Sequence, residues 1–284
     1  MMRRRNTKTF KLILVLGTVI ILVWTLFPVF WMLSTSFKTA TAVFDKPPEL
    51  VPSKPTLSSY KKMMTGTVEV TPIMRFFGNS VISSLSTVVV ATVLAVLASY
   101  ALSRLRFRLR RPIMLGVLVT QMFPLVVILT PLYILYMRLR LLNTYAGLVI
   151  AFTSFTLPFS IWMLKGFIDT IPQELDEAAI IDGCGHIAVL LRIIVPVITP
   201  GIMATAVFAF LDAWNNLLFP LTLMTDVSMK TLPPGMVLAF GGEFKHDWSG
   251  MMATSALVAI PVIVVFVILQ RYLVDGLTAG SVKG

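Results

Sequence analysis

Apolar residues in this chain come in long blocks. Six stretches of about 20 mostly apolar, uncharged residues are each long enough for a helix to cross a hydrocarbon core. They fall at Leu12–Leu33, Asn79–Ser103, Pro112–Met137, Tyr145–Leu164, Val197–Met224 and Met251–Tyr272. The pattern predicts an all-α integral membrane protein with six transmembrane helices in a single domain over residues 1–284. The fourth stretch carries Thr153, Ser154, Thr156, Pro158 and Ser160, and the fifth carries Asp212, Asn215 and Asn216. Both are more polar than a lipid-facing helix should be, so they are expected to line something. In the second stretch, Ser80, Ser84, Thr87, Ala91, Ala95 and Ala98 recur at helical spacing, a small-residue stripe that reads as a close helix–helix seam. Gln121, Pro124 and Pro131 mark the third stretch as interrupted.

Composition agrees with the blocks. Hydrophobic residues make up 57% and charged residues 13% of the chain, more apolar surface than a soluble globule of this size could hide. The single cysteine, Cys184, excludes an intrachain disulfide. The net charge of +11 would suggest nucleic acid in a soluble protein, but here the basic residues flank apolar blocks and set topology instead. Arg3, Arg4, Arg5, Lys8 and Lys11 precede the first block, and Arg104, Arg106, Arg108, Arg110 and Arg111 crowd the connection after the second. Both segments lack acids and are placed in the cytoplasm, together with both termini. The connection Ser34–Gly78 mixes basic residues with Asp45, Glu49 and Glu69 and is placed outside. Its prolines make it irregular at first, with an interfacial helix expected around Leu57–Met64. The first block is longer than a signal-peptide core and is read as a retained helix.

Lys165–Pro196, between the fourth and fifth blocks, holds five of the 13 acidic residues: Asp169, Glu174, Asp176, Glu177 and Asp182. Thr170 and Gln173 have capping-box spacing, and Gly183 and Gly185 supply a stop. A short helix from about Pro172 to Asp182 is therefore expected, then a turn and a second short helix ending before Pro196. Ala178 and Ala179 are small enough to admit another surface, Leu175 and Ile180 are apolar anchors, and carboxylates surround them. That is the build of a docking knob; the plain alternative is a solvated amphipathic loop.

Glu177-Ala178-Ala179, three residues, Gly183, nine residues and then Ile193-Ile194-Val195-Pro196 resembles the EAA signature of ABC-importer permeases, with Val195 where that pattern usually has leucine. Trp214-Asn215, Pro220-Leu221 and the ending Gly276–Gly284 are similar to the MalG-type subunit of carbohydrate importers, and the likeness covers nearly the whole chain. The resemblance implies the transmembrane domain of a type I ABC importer in a bacterial or archaeal cytoplasmic membrane. It implies a cytoplasmic coupling helix in loop 165–196 that sits in a cleft of an ATPase subunit. Glu177, Ala178, Ala179, Asp182, Gly183 and Pro196 are the coupling residues it assigns. It further implies a second homologous permease, two cytoplasmic ATPase subunits that hold ATP and Mg, and an extracytoplasmic sugar-binding protein. No cofactor or metal is assigned to this chain. The cargo implied is a disaccharide or oligosaccharide such as an α-glucoside, moved by alternating access.

A charge such as Asp212, midway along an apolar block, should face protein or a water-filled cavity. Helical spacing places Thr205, Phe208, Asp212 and Asn215 or Asn216 on one face, an aromatic plate beside hydrogen-bonding groups that suits a sugar. The competing reading is that Asp212 and Asn216 only bond neighbouring helices. Gln121 is a weaker candidate for the same path. No GxxxxGK[ST], HExxH or GxSxG occurs, and SxxK at Ser58 and Ser59 has no supporting motif, so no enzymatic activity is expected. An ABC importer for a glycerophosphodiester, polyamine or peptide is the nearest alternative; no basic residue lies deep in the blocks, which favours a neutral cargo over an anionic one. A secondary transporter using Asp212 to bind a proton or sodium ion is the remaining alternative.

Overall fold

The computed structural model describes residues 7–65, 72–240 and 247–281; Arg3, Arg4, Arg5 and Glu69 lie outside them. The described residues are helical throughout, with irregular connections. The helices are α1 (Thr7–Ser36), α2 (Ser58–Thr65), α3 (Ile73–Arg104), α4 (Arg110–Val119), α5 (Leu125–Arg138), α6 (Tyr145–Asp169) and α7 (Glu174–Ile181). After them come α8 (His186–Val189), α9 (Val195–Val197), α10 (Thr199–Asn215), α11 (Leu218–Leu223), α12 (Leu232–Phe240) and α13 (Trp248–Ser281). Among the described residues four helices are long and apolar enough to cross a membrane: Phe10–Ser36, Ile73–Arg104, Tyr145–Asp169 and Trp248–Gln270. Two bent pairs, Arg110–Met122 with Leu125–Arg138 and His186–Val197 with Thr199–Asn215, make six if each pair is one crossing.

The chain divides into two compact units, Met1–Pro72 with Leu238–Ala259, and Ile73–Val237 with Ile260–Gly284. In the first, α1 exposes leucine, isoleucine, valine and phenylalanine on nearly every side, as a helix solvated by lipid does. Its C-terminal end is polar and buried at Ser34, Thr35 and Ser36. Lys38 is also buried; its ammonium donates to the Glu49 carbonyl and lies 4.7 Å from the centre of the Trp31 ring. The irregular stretch that follows is fixed by these contacts and by Thr56 N–H donating to Phe37 O at 2.8 Å.

The second unit is built on the seam of α3. Ser80, Ser84, Thr87, Ala91 and Ala95 are all buried, and α3 packs chiefly against α6 and α10. Small side chains let the backbones approach, so that dispersion rather than hydrophobic transfer holds the helices together in lipid. The hydroxyls are satisfied within the helix: Ser84 donates to Ser80 O at 2.6 Å and Thr87 to Ser83 O at 2.8 Å. On α10, a Cβ added at Gly201 would lie 2.6 Å from the Phe167 ring, so this crossing also depends on an absent side chain.

Two local expectations change and one is sharpened. First, the third apolar block, expected to be interrupted, is no single rod. Phe123, before Pro124, is extended (φ −78°, ψ 129°), which ends the short 3₁₀ turn Thr120–Met122 and leaves the two helices at 102°. Second, Thr170 does not cap the loop helix. The preceding helix continues past Leu164 to Asp169, Thr170 closes it by donating to Phe167 O at 2.7 Å, and α7 begins only at Glu174. Third, the second loop helix does not stop before Pro196. It runs through a π-helical stretch, Leu190–Ile194, into α9 and ends at Val197. Val195 N–H reaches back to Leu190 O, and that wider turn accommodates a proline that has no N–H to donate.

Candidate functional site

The loop between α6 and α10 has an inner and an outer face. Its first helix carries Glu174, Asp176 and Glu177 in the opening turn, where negative charge meets the positive end of the helix dipole. It closes in a Schellman turn: Gly183 N–H donates to Ile180 O at 3.0 Å and Cys184 N–H to Ala179 O at 2.9 Å. Gly183 stands at φ +87°, a conformation that other residues rarely adopt. Ile171, Ala179, Val189, Leu190, Ile194 and Ile198 form a buried core with Tyr100 and Leu102 of α3 and Leu164 and Ile168 of α6.

Charge reinforces this inner face. Arg104, the last residue of α3, pairs with Asp176, their side chains 7% and 9% exposed. The same guanidinium donates to Ile171 O at 2.9 Å. Next to it, the Asp169 carboxylate accepts from Ser103 and pairs with Lys165. The loop is therefore bonded to the end of α3, which is itself bonded to the end of α6. In the sequence Arg104 reads only as a topology charge and Asp176 only as one of the loop's acids, because the partners lie on elements far apart along the chain. The available clue was the spacing of Asp176 with Ala179, which puts both on one helix face.

The outer face is apolar with an acidic rim. Ile181 is 84% and Ile187 73% exposed, Leu175 and Ile180 are exposed as well, and so are the carboxylates Glu174, Glu177 and Asp182, of which Glu177, like Ile180, borders a recess against Tyr100 and Arg104 of α3. Ala178 and Pro196 also face outward. Ala179 does not, which corrects its expected role: it is 7% exposed and packs into the chain's own core, so its small size serves internal packing.

The intramembrane candidates are only partly brought together. Phe208, Asp212, Asn215 and Asn216 line a cavity of about 440 Å³ with Leu125, Leu211, Leu217 and Leu218. Thr205 is not on that wall; it is fully buried and donates to Gly201 O at 2.8 Å. Gln121 stands apart as well, donating to Phe155 O at 2.9 Å and tying the 3₁₀ turn before the α4–α5 break to α6. Asp212 accepts from Thr156 of α6 at 2.8 Å, and Phe208 lies against Phe159, ring centres 4.2 Å apart. The helix unwinds at Asn216 (φ −69°, ψ 121°), whose side-chain oxygen accepts from Phe219 N–H at 3.1 Å and caps α11. The fifth apolar block is thus a helix, a break and a short helix, and the irregular backbone borders a cavity, the setting in which it is tolerated at membrane depth. The wall combines leucines, one phenylalanine face, a carboxylate and two amides, without a basic side chain.

A helical membrane protein with a bonded, acid-rimmed loop beneath a broken-helix cavity is the architecture of a transporter's transmembrane subunit. The chain belongs to the family of binding-protein-dependent transport system inner membrane components, whose model matches residues 90–278. It is 36% identical to the diacetylchitobiose uptake system permease protein DasC of Streptomyces coelicolor, over 94% of this chain and 95% of that one. It is 33% identical to the trehalose/maltose transport system permease protein MalG of Thermococcus litoralis, over 96% and 97%. Its fold matches a chain in the crystal structure of a bacterial ABC transporter involved in the import of the acidic polysaccharide alginate, with a TM-score of 0.79 at 20% identity, covering 96% of this chain and 99% of that chain. The chain is therefore an inner-membrane, multi-pass permease component of a binding-protein-dependent ABC transporter rather than an ion-coupled carrier or an enzyme.

Proposed function

We propose that this permease imports a neutral disaccharide or oligosaccharide by alternating access. Six crossings, counting each bent pair as one, put both termini on one side of the membrane, and the basic residues before the first block and after the second make that side the cytoplasm. A second homologous permease completes the pathway, and an extracytoplasmic binding protein delivers the sugar. Two cytoplasmic ATPase subunits hold ATP and Mg, and one of them receives the knob formed by α7 and the turn at Gly183. Glu177, Ala178, Asp182 and Gly183 carry that contact, with Pro196 at the far end of the loop. Phe208, Asp212, Asn215 and Asn216 meet the sugar on its way through, the ring by stacking and the polar groups by hydrogen bonds.

The observation that carries this reading is the outer face of the loop: isoleucines exposed at 84% and 73% on the same short segment as exposed carboxylates, on a knob whose other face is already bonded. Sugar as cargo is supported by the relatives named for diacetylchitobiose and for trehalose/maltose and by a cavity wall without basic groups. The decisive variant is Gly183→Asp in the assembled transporter. Membrane levels should stay normal while uptake stops and the ATPase no longer co-purifies. Normal uptake with normal ATPase co-purification would refute the coupling assignment. For the cargo, stimulation of ATP hydrolysis by binding protein with diacetylchitobiose, trehalose or maltose should identify at least one active sugar, and stimulation by a charged solute alone would refute a neutral one.

A further inference from the structure

The connection from α3 to α4 carries four arginines; Arg106, with Leu105, also borders a recess that Gln173, Asp176, Glu177, Ile180 and His186 of the loop line, whereas Arg108, Arg110 and Arg111 border neither that recess nor the cavity. Arg106, Arg108, Arg110 and Arg111, with Phe107 and Pro112, line an open recess of about 560 Å³. The ion pairs among the described residues are Lys62–Asp247, Arg104–Asp176 and Lys165–Asp169, so none of these four guanidiniums is paired among them. Leu105, Phe107 and Leu109 alternate with the arginines and are 40%, 40% and 60% exposed. In water that alternation leaves three large apolar side chains unburied. At a headgroup boundary both sets are satisfied, the apolar ones dipping toward the acyl region and the guanidiniums meeting phosphate.

A second feature continues from the first on the same helix. Arg110 and Arg111 open α4, and Met114 and Leu118 follow about 6 and 12 Å farther along its axis. These two residues form one wall of an apolar groove of about 540 Å³ whose other wall is Trp162, Met163, Gly166 and Phe167 of α6. The groove becomes polar toward Lys165, Asp169 and Thr170. Trp162 is 51% exposed within it, and nothing lies within 4 Å of where a Cβ at Gly166 would sit. Guanidiniums at the head of an apolar channel match one kind of molecule in charge and in shape.

We propose that residues 106–112 and the α4–α6 groove form a binding site for an anionic phospholipid. Arg108, Arg110 and Arg111 hold its phosphate, and one acyl chain lies along Met114, Leu118 and Trp162. The site is independent of which sugar is carried.

The test uses the whole transporter, in nanodiscs of phosphatidylglycerol or of phosphatidylcholine and, after gentle extraction, by native mass spectrometry. The wild type should retain phosphatidylglycerol that phosphatidylcholine does not replace. Brominated phosphatidylglycerol should quench fluorescence that Trp162→Phe removes. Arg108→Gln/Arg110→Gln/Arg111→Gln should weaken retention about a hundredfold, since each arginine near an anionic surface contributes about fivefold. Because that variant also removes a topology signal, Gly166→Leu provides a second arm: it fills the groove without touching charge and should abolish the Trp162-dependent quenching. Equal retention of the two lipids, or full retention in both variants, overturns the proposal. So does displacement by glycerophosphoglycerol as effective as by the intact lipid, which would assign the arginines to a free phosphate. Loss of the ATPase subunits with lipid retention unchanged also overturns it, and assigns them to a protein contact.

Discussion

Asp176→Asn removes one charge from the pair that ties the loop helix α7, the proposed coupling element, to α3. The Arg104 and Asp176 side chains are 7% and 9% exposed, so the remaining guanidinium would be buried without a counter-ion. Breaking such a pair from one side costs about 3–5 kcal/mol. The α3–α6–α10 seam does not depend on Asp176, so the cost should fall on the attachment of α7 and leave the bundle folded. At that size the docked state loses a factor of about 10² to several thousand against detached ones. In proteoliposomes, the variant should therefore keep its membrane level while binding-protein-stimulated uptake drops by at least tenfold. ATP hydrolysis should fall less, because a detached knob still reaches the ATPase but no longer moves α3 with it. The swap Arg104→Asp/Asp176→Arg restores opposite charges in the same place and should recover part of the uptake that each single change loses. Uptake per ATP at the wild-type level in Asp176→Asn, or a swap no better than its single changes, would refute the claim that this pair transmits the motion.

Other expectations follow from the same geometry. Asp212→Leu should leave expression unchanged and raise the binding-protein concentration needed for half-maximal uptake; identical affinity and rate would reduce Asp212 to a packing partner of Thr156. Gly201→Val forces a side chain into the space of the Phe167 ring and should lower stability by about 1–3 kcal/mol, read as a lower melting temperature in detergent. The Asp226 carboxylate accepts from Ser228 N–H at 2.8 Å, which holds its pKa below the usual 3.8. A depressed native pKa stabilises the fold above the unfolded value and is lost as pH falls through the native one. Any stability difference between wild type and Asp226→Ala should accordingly be present at neutral pH and shrink below about pH 3.8, measured by thermal melting across that range.

The apolar blocks made the helical membrane class legible because lipid forces each crossing to satisfy its own backbone. Gly183 was legible for a similar reason: a helix followed by glycine is a local signal, and the Schellman turn formed there. The breaks were only half visible. Pro124 announced an interruption, but its 102° angle depends on how two separate helices pack. Thr170 misled because a capping-box spacing competes with a helix still able to grow, and Lys165 paired with Asp169 one turn on supports that growth. Ala179 was read as outward-facing because its smallness is compatible with either face; the choice was made by Tyr100, Leu164 and Ile168. The Thr205–Asp212 face came apart because a helical stripe is wide enough for one edge to be buried while the other borders a cavity.

A knob that shows Ile181 and Ile187 to its surroundings is comfortable only when something covers them. Before assembly the subunit displays to the cell's quality-control machinery the same feature that such machinery recognises in damaged proteins. On the reading proposed above, the surface through which the chain is driven should also make an orphan copy short-lived and tie its abundance to that of its motor.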